Sequence, residues 1–124
     1  MSTILVVDDD ATMRSLFKLM LESAGYQVLS AGSAPDALAL LRSLDKPPAL
    51  ILLDLMMPGM TGWDFREVQL EDPALADIPV VVLSAMNDLP TRAEDLGISE
   101  AIQKPMPVME LLAVVARYCP SPRG

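Results

Sequence analysis

The chain has 124 residues, 52% hydrophobic and only 4% aromatic, enough for one domain with an aliphatic core and too apolar for a disordered segment. Its 17 acidic against 9 basic residues give a net charge of −8, which argues against a nucleic-acid footprint or binding to an anionic membrane surface. With no histidine and 1 cysteine, the usual zinc ligand, the commonest general base and an internal disulfide are removed; no leader and no spanning-length apolar stretch is evident, so a reducing, cytoplasmic setting is expected.

Residues 3–7 are an apolar run and predict a first strand. Residues 11–24 predict a helix, because Met13, Leu16, Phe17, Met20, Leu21 and Ala24 follow the spacing of one helical face. Gly25 stands where a glycine would stop that helix. Residues 26–31 predict a second strand. Ser33 then opens a second helix, with Pro35 in its first turn, Asp36 three residues on, and Ala34, Ala37, Leu38 and Leu41 as its buried stripe. Pro47 and Pro48 precede a third strand at 49–53, and a Pro/Gly loop at 58–62 leads to a helix near 63–71, with Trp63 as a packing residue. A fourth strand follows at 78–83, a short helix near 89–96 ended by Gly97, a fifth strand at 100–103 and a last helix over about 107–118. Val108, Leu111, Leu112 and Val115 are its inward residues, and Cys119 at its end is expected to be inert.

The runs at 3–7, 49–53 and 78–83 are continuously apolar, as strands covered on both faces are, whereas 26–31 and 100–103 are polar enough for sheet edges. Five βα units with right-handed crossovers predict an α/β fold: a doubly wound five-stranded parallel sheet of order 2-1-3-4-5 with five flanking helices. Residues 1–119 form the domain, and 120–124 read as a tail or the start of a linker.

Parallel strands in one sheet bring their carboxyl ends to one edge, where open α/β sheets place their sites. The first strand ends in Asp8, Asp9 and Asp10, the third in Asp54, the fourth in Ser84 and the fifth in Lys104-Pro105. Strands 1 and 3 are neighbours in the predicted order, so Asp8, Asp9 and Asp54 converge. Clustered carboxylates repel unless a cation sits between them, and hard oxygen ligands select Mg²⁺, with Mn²⁺ as the alternative. Asp10 is better read as the N-cap of the first helix. Asp54 is also a nucleophile able to form an aspartyl phosphate. Ser84 would donate to a phosphoryl oxygen and Lys104 would place a positive charge beside it.

Val6-Val7-Asp8-Asp9, Leu53-Asp54-Leu55-Met56-Met57-Pro58-Gly59, Leu83-Ser84-Ala85 and Lys104-Pro105 resemble the receiver domain of two-component response regulators, over essentially residues 3–118. The resemblance implies a flavodoxin-like fold and phosphorylation of Asp54 by a sensor histidine kinase or a phosphotransfer protein. It implies Mg²⁺ held by Asp8, Asp9, Asp54 and the backbone carbonyl of Met56, a Ser84 that swings toward the phosphoryl group, and a Lys104-Pro105 bond that is often cis. Output would pass to a protein partner, or through self-association, by the face built from the helix near 89–96, the fifth strand and the last helix; no direct role for nucleic acid or membrane is expected.

Two features depart from the pattern. The position three before Lys104, where the family carries Tyr or Phe, is Ala101, which has no rotamer to turn. Met56 and Met86 stand two residues after Asp54 and Ser84, where polar side chains would orient a hydrolytic water, so a slowly decaying phosphate is expected. The chain holds 9 methionines, and those at 56, 57, 60, 86 and 106 fall near the active edge; core packing is favoured over partner docking. The leading reading is a stand-alone phosphorylation switch, and the alternative is an N-terminal receiver cut from a longer regulator or hybrid kinase. An aspartyl phosphatase would want a second acid where Met56 stands, and a flavin-binding module would want a phosphate-cradling loop where three acids follow the first strand.

Overall fold

Backbone pairing turns the apolar runs into a parallel sheet. The structure, a computed structural model, describes residues 3–54, 62–84, 100–103 and 108–119. These hold strands β1 (Thr3–Val7), β2 (Gln27–Ala31), β3 (Leu50–Asp54), β4 (Val80–Ser84) and β5 (Glu100–Gln103). The helices are α1 (Ala11–Ser23), α2 (Ala34–Ser43), α3 (Gly62–Glu71) and α4 (Val108–Tyr118). The sheet has 5 strands in the order β2-β1-β3-β4-β5, and every pairing is parallel. The expected helix near 89–96 lies outside the described residues.

Successive side chains on a strand point to opposite faces, so a wholly apolar strand must be covered twice. Leu5, Val7, Ile51, Leu53, Val80 and Val82 face one layer, where they pack with Ala34, Ala37, Leu38 and Leu41 of α2 and Phe65 of α3. Ile4, Val6, Leu50, Leu52, Val81 and Leu83 face the other, with Phe17 and Leu21 of α1 and Leu111, Val114 and Val115 of α4. The register pairs Val7 with both Ala31 and Leu53, Asp54 with Leu83, and Ser84 with Gln103. The carboxyl ends of neighbouring strands therefore lie side by side.

Local chemistry sets the helix ends. Ser33 accepts from the Asp36 amide at 3.2 Å, and a proline occupies the first turn of α2. Gly25 has φ 98°, the left-handed conformation that ends α1 through a residue with no Cβ. The predicted inner stripe of α1 needs one correction: Leu16 is 45% exposed. Phe17 and Leu21 face the sheet with Met13 and Met20 beside them, which leaves Leu16 on the outer margin of the stripe.

The lead-in to β4 rests on a polar network inside the core. The Gln69 side-chain amide donates to the carbonyls of Leu75 at 2.8 Å and Ile78 at 3.1 Å. Its oxygen accepts from Arg66 Nη1 at 2.9 Å, and that nitrogen also reaches the Ile78 carbonyl at 3.3 Å. Both side chains are buried, and burial pushes the Arg66 guanidinium below its ordinary value. Among the described residues no buried side-chain nitrogen or oxygen lacks a partner.

Candidate functional site

The site grows from the last hydrogen bond of the β1–β2 ladder. The Asp8 amide donates to the Ala31 carbonyl at 3.1 Å, which holds Asp8 in line with the sheet one residue beyond β1. Asp8 is 1% exposed. Its Oδ1 accepts from the Asp10 amide at 2.9 Å, an Asx-type turn that swings the chain out of the sheet toward α1. Asp10 Oδ1 in turn accepts from the amides of Thr12 at 2.9 Å and Met13 at 3.3 Å, which makes it the N-cap of α1, as its position predicts. Asp9, exposed, stands between the two.

Asp54 is the last residue of β3 and is 6% exposed. Because β3 lies beside β1, one carboxylate oxygen each from Asp8, Asp9 and Asp54 come within 4.8 Å of one another. Two buried carboxylates at that spacing repel by about 3 kcal/mol at an effective dielectric of 20. Asp8 spends one oxygen on the Asp10 amide, which offsets part of this cost. The donor set is all oxygen and all anionic, which fits a small hard divalent cation and does not suit a soft metal.

The other predicted residues divide into two groups. Ser84 ends β4 one position beyond the Asp54–Leu83 pair, and Ala101 lies on β5 opposite Val82. Met56, Met86, Lys104 and Pro105 lie outside the described residues. One residue at the site was not foreseen from sequence. Arg14, in α1, donates from Nη1 to the main-chain carbonyl of Asp8 at 2.6 Å. The signal available was a cation six positions after Asp8, which in a chain of charged helices carries little weight alone.

Comparison with known proteins agrees with this geometry. The family model for the response regulator receiver domain matches residues 4–116. The phosphate regulon transcriptional regulatory protein PhoB of Pseudomonas aeruginosa is 37% identical over 113 residues, covering 90% of this chain and 48% of that protein. The DNA-binding response regulator MtrA of Mycobacterium tuberculosis is 38% identical over 114 residues, with 90% and 48% covered. The chain thus spans about half the length of the curated relatives it matches. Among solved structures, the chemotaxis response regulator CheY4 of Vibrio cholerae superposes with a TM-score of 0.87 at 26% identity, covering 95% of this chain and 98% of that one. The N-terminal domain of a response regulator receiver protein from Methanoculleus marisnigri gives 0.77 at 38% identity, with 95% and 96% covered. Receiver domains are phosphoacceptor signalling modules rather than catalytic enzymes, their partners include histidine kinases, and an acidic pocket such as Asp8, Asp9 and Asp54 is typical of their phosphoacceptor and Mg²⁺ site. By the family match over 4–116 and the acid cluster at the ends of β1 and β3, this chain belongs to the response regulator receiver domain family.

Proposed function

We propose that Asp54 is the phosphoacceptor, that Asp8, Asp9, Asp54 and the main-chain carbonyl of Met56 hold Mg²⁺ (Mn²⁺ would substitute), and that Ser84 and Lys104 contact the transferred group. The observation that carries this reading is the approach of three carboxylate oxygens from two strands to within 4.8 Å. Asp54 differs from the other two in position: it closes the central strand β3 and has Leu83 and then Ser84 beside it on β4. One of its carboxylate oxygens attacks the phosphorus of a phosphohistidine on the partner, the P–N bond breaks, and the imidazole leaves to take up a proton from water. Bound at the cluster, Mg²⁺ supplies the charge neutralisation that lets an anionic phosphoryl group approach carboxylates. The Ser84 hydroxyl donates to a phosphoryl oxygen, and the Lys104 ammonium offsets the charge left on it.

The donor is a sensor histidine kinase or a phosphotransfer protein. The added group brings nearly two negative charges to the end of β3 and biases the face containing β5 and α4 toward a protein partner or a second copy. Residues 1–119 are the functional unit, with 120–124 as a tail or linker, in the cytoplasm. No helix among the described residues is long and apolar enough to cross a membrane. Two contexts fit the same chemistry: CheY4 is matched over 98% of its chain, whereas PhoB is matched over 48%, as the receiver of a longer regulator would be. Coding sequence downstream of the Gly124 codon separates them.

Exposure of the protein to a small phosphodonor, read by intact mass, tests the assignment. The parent gains one phosphoryl group with Mg²⁺ and none with a chelator, and Asp54→Asn gains none. Labelling of Asp54→Asn equal to the parent would move the acceptor elsewhere.

A further inference from the structure

The turn that carries Asp9 is tethered from outside the sheet. Among the described residues Asp8 is held at three points: its amide bonds the Ala31 carbonyl, its Oδ1 takes the Asp10 amide, and its carbonyl takes Arg14 Nη1. The third tether fixes the plane of the peptide that joins Asp8 to Asp9. Asp9 is exposed, so no packing decides where its carboxylate lies; the main chain must. A 2.6 Å bond from a guanidinium to that carbonyl is charge-assisted and directional.

Gly32, just past β2, shows that this contact is built into the fold. A Cβ added there would meet Arg14 Nη1 at 3.1 Å and Cζ at 3.4 Å. The only positive φ among the described residues belongs to Gly25, so the backbone at Gly32 is open to any side chain. What the glycine supplies there is room for the half-buried guanidinium to lie across the β2–α2 turn. The bond also goes to a main-chain carbonyl and not to a carboxylate, so Arg14 brings positive charge to the acid cluster without taking an oxygen that a cation would use.

We propose that Arg14 is a positioning residue for the divalent-cation site: lodged over Gly32, it clamps the Asp8 carbonyl and so aims the exposed Asp9 into the ligand set. The inference rests on the cation reading given above.

Mg²⁺ alone, titrated calorimetrically into the full chain, is the probe, with amide hydrogen exchange of Asp10 in metal-free protein as an independent readout. Arg14→Met is expected to weaken Mg²⁺ binding about tenfold, the scale of a lost partner behind a metal ligand, and to speed exchange at Asp10. Arg14→Lys, which keeps the charge and a donor, recovers part of the affinity and covers the case in which Arg14→Met folds poorly. Gly32→Val weakens binding in the parent but adds nothing in the Arg14→Met background, because both act through one contact. Unchanged or tighter binding by Arg14→Met, as plain charge removal would give, overturns the clamp, and so does a Gly32→Val effect that persists without Arg14. A parent that binds no Mg²⁺ fails differently, by removing the cation site itself.

Discussion

Asp8, Asp9 and Asp10 carry the same side chain in three different settings. Asp8 is buried and fixed by the sheet, Asp10 spends its oxygen on two helix amides, and Asp9 is left facing solvent beside Asp54. Role here follows from what each backbone position leaves unsatisfied. The same reasoning applies to Met56. An aspartyl phosphate is lost when water attacks it, and a polar side chain two residues after the acceptor would orient that water. A thioether is a weak acceptor and no donor. Met56→Asn is therefore expected to hasten phosphate loss by roughly tenfold, less than a true general base supplies. The measurement is decay of the phosphorylated mass with Mg²⁺ present, and equal half-lives for parent and mutant would sink the idea.

At the scale of elements, β5 carries Ala101 opposite Val82 of β4, two residues before Ser84. A large aromatic there would have a rotamer to exchange with the movement proposed for Ser84, and alanine has none. Chemical-shift changes on phosphorylation are thus expected to be smaller over residues 98–112 than around Asp54; changes of equal size would show that strand and helix move without an aromatic. Much of this architecture was legible in the sequence because it depends on local rules. The continuous apolar runs can be buried only between two layers, and Ser33, Asp10 and Gly25 mark helix ends by chemistry confined to a few residues. Leu16 was misjudged because a helical stripe has soft margins, and which margin is covered depends on where α1 crosses the sheet. Arg66 and Gln69 carry no such local signal; their partners are carbonyls at 75 and 78, brought near only by the folded α3–β4 turn. Of the site, the acids at the ends of β1 and β3 were foreseen because strand order alone brings them together. Arg14 was not, since its acceptor is a main-chain carbonyl that carries no residue-specific signal.

Across the whole molecule, one bond ties the residue before β2 to the residue after α4. The Tyr26 hydroxyl donates to the Cys119 carbonyl at 2.6 Å, between residues 93 apart in sequence, and both side chains are buried. Burial, with the neighbouring Cys119 thiol adding to it, pushes the Tyr26 hydroxyl above its ordinary 10.0, and burial likewise pushes the Cys119 thiol above its ordinary 9.0. Groups with raised folded-state values hold protons that the unfolded chain releases, so the native state binds more protons in alkali and stability falls as pH rises. Their contribution is complete below about pH 9, declines once the unfolded chain ionises, and is gone when pH passes the folded values. Tyr26→Phe removes both the bond and its share of that decline. The variant is expected to lose about 1 kcal/mol at neutral pH, the usual net value of one hydrogen bond, and to fall less steeply than the parent in alkali, with Cys119 supplying what slope remains. Urea unfolding from pH 7 upward measures both. Parallel slopes for parent and Tyr26→Phe would mean that the hydroxyl titrates alike in the folded and unfolded chain, and that the bond to the Cys119 carbonyl does not hold its proton.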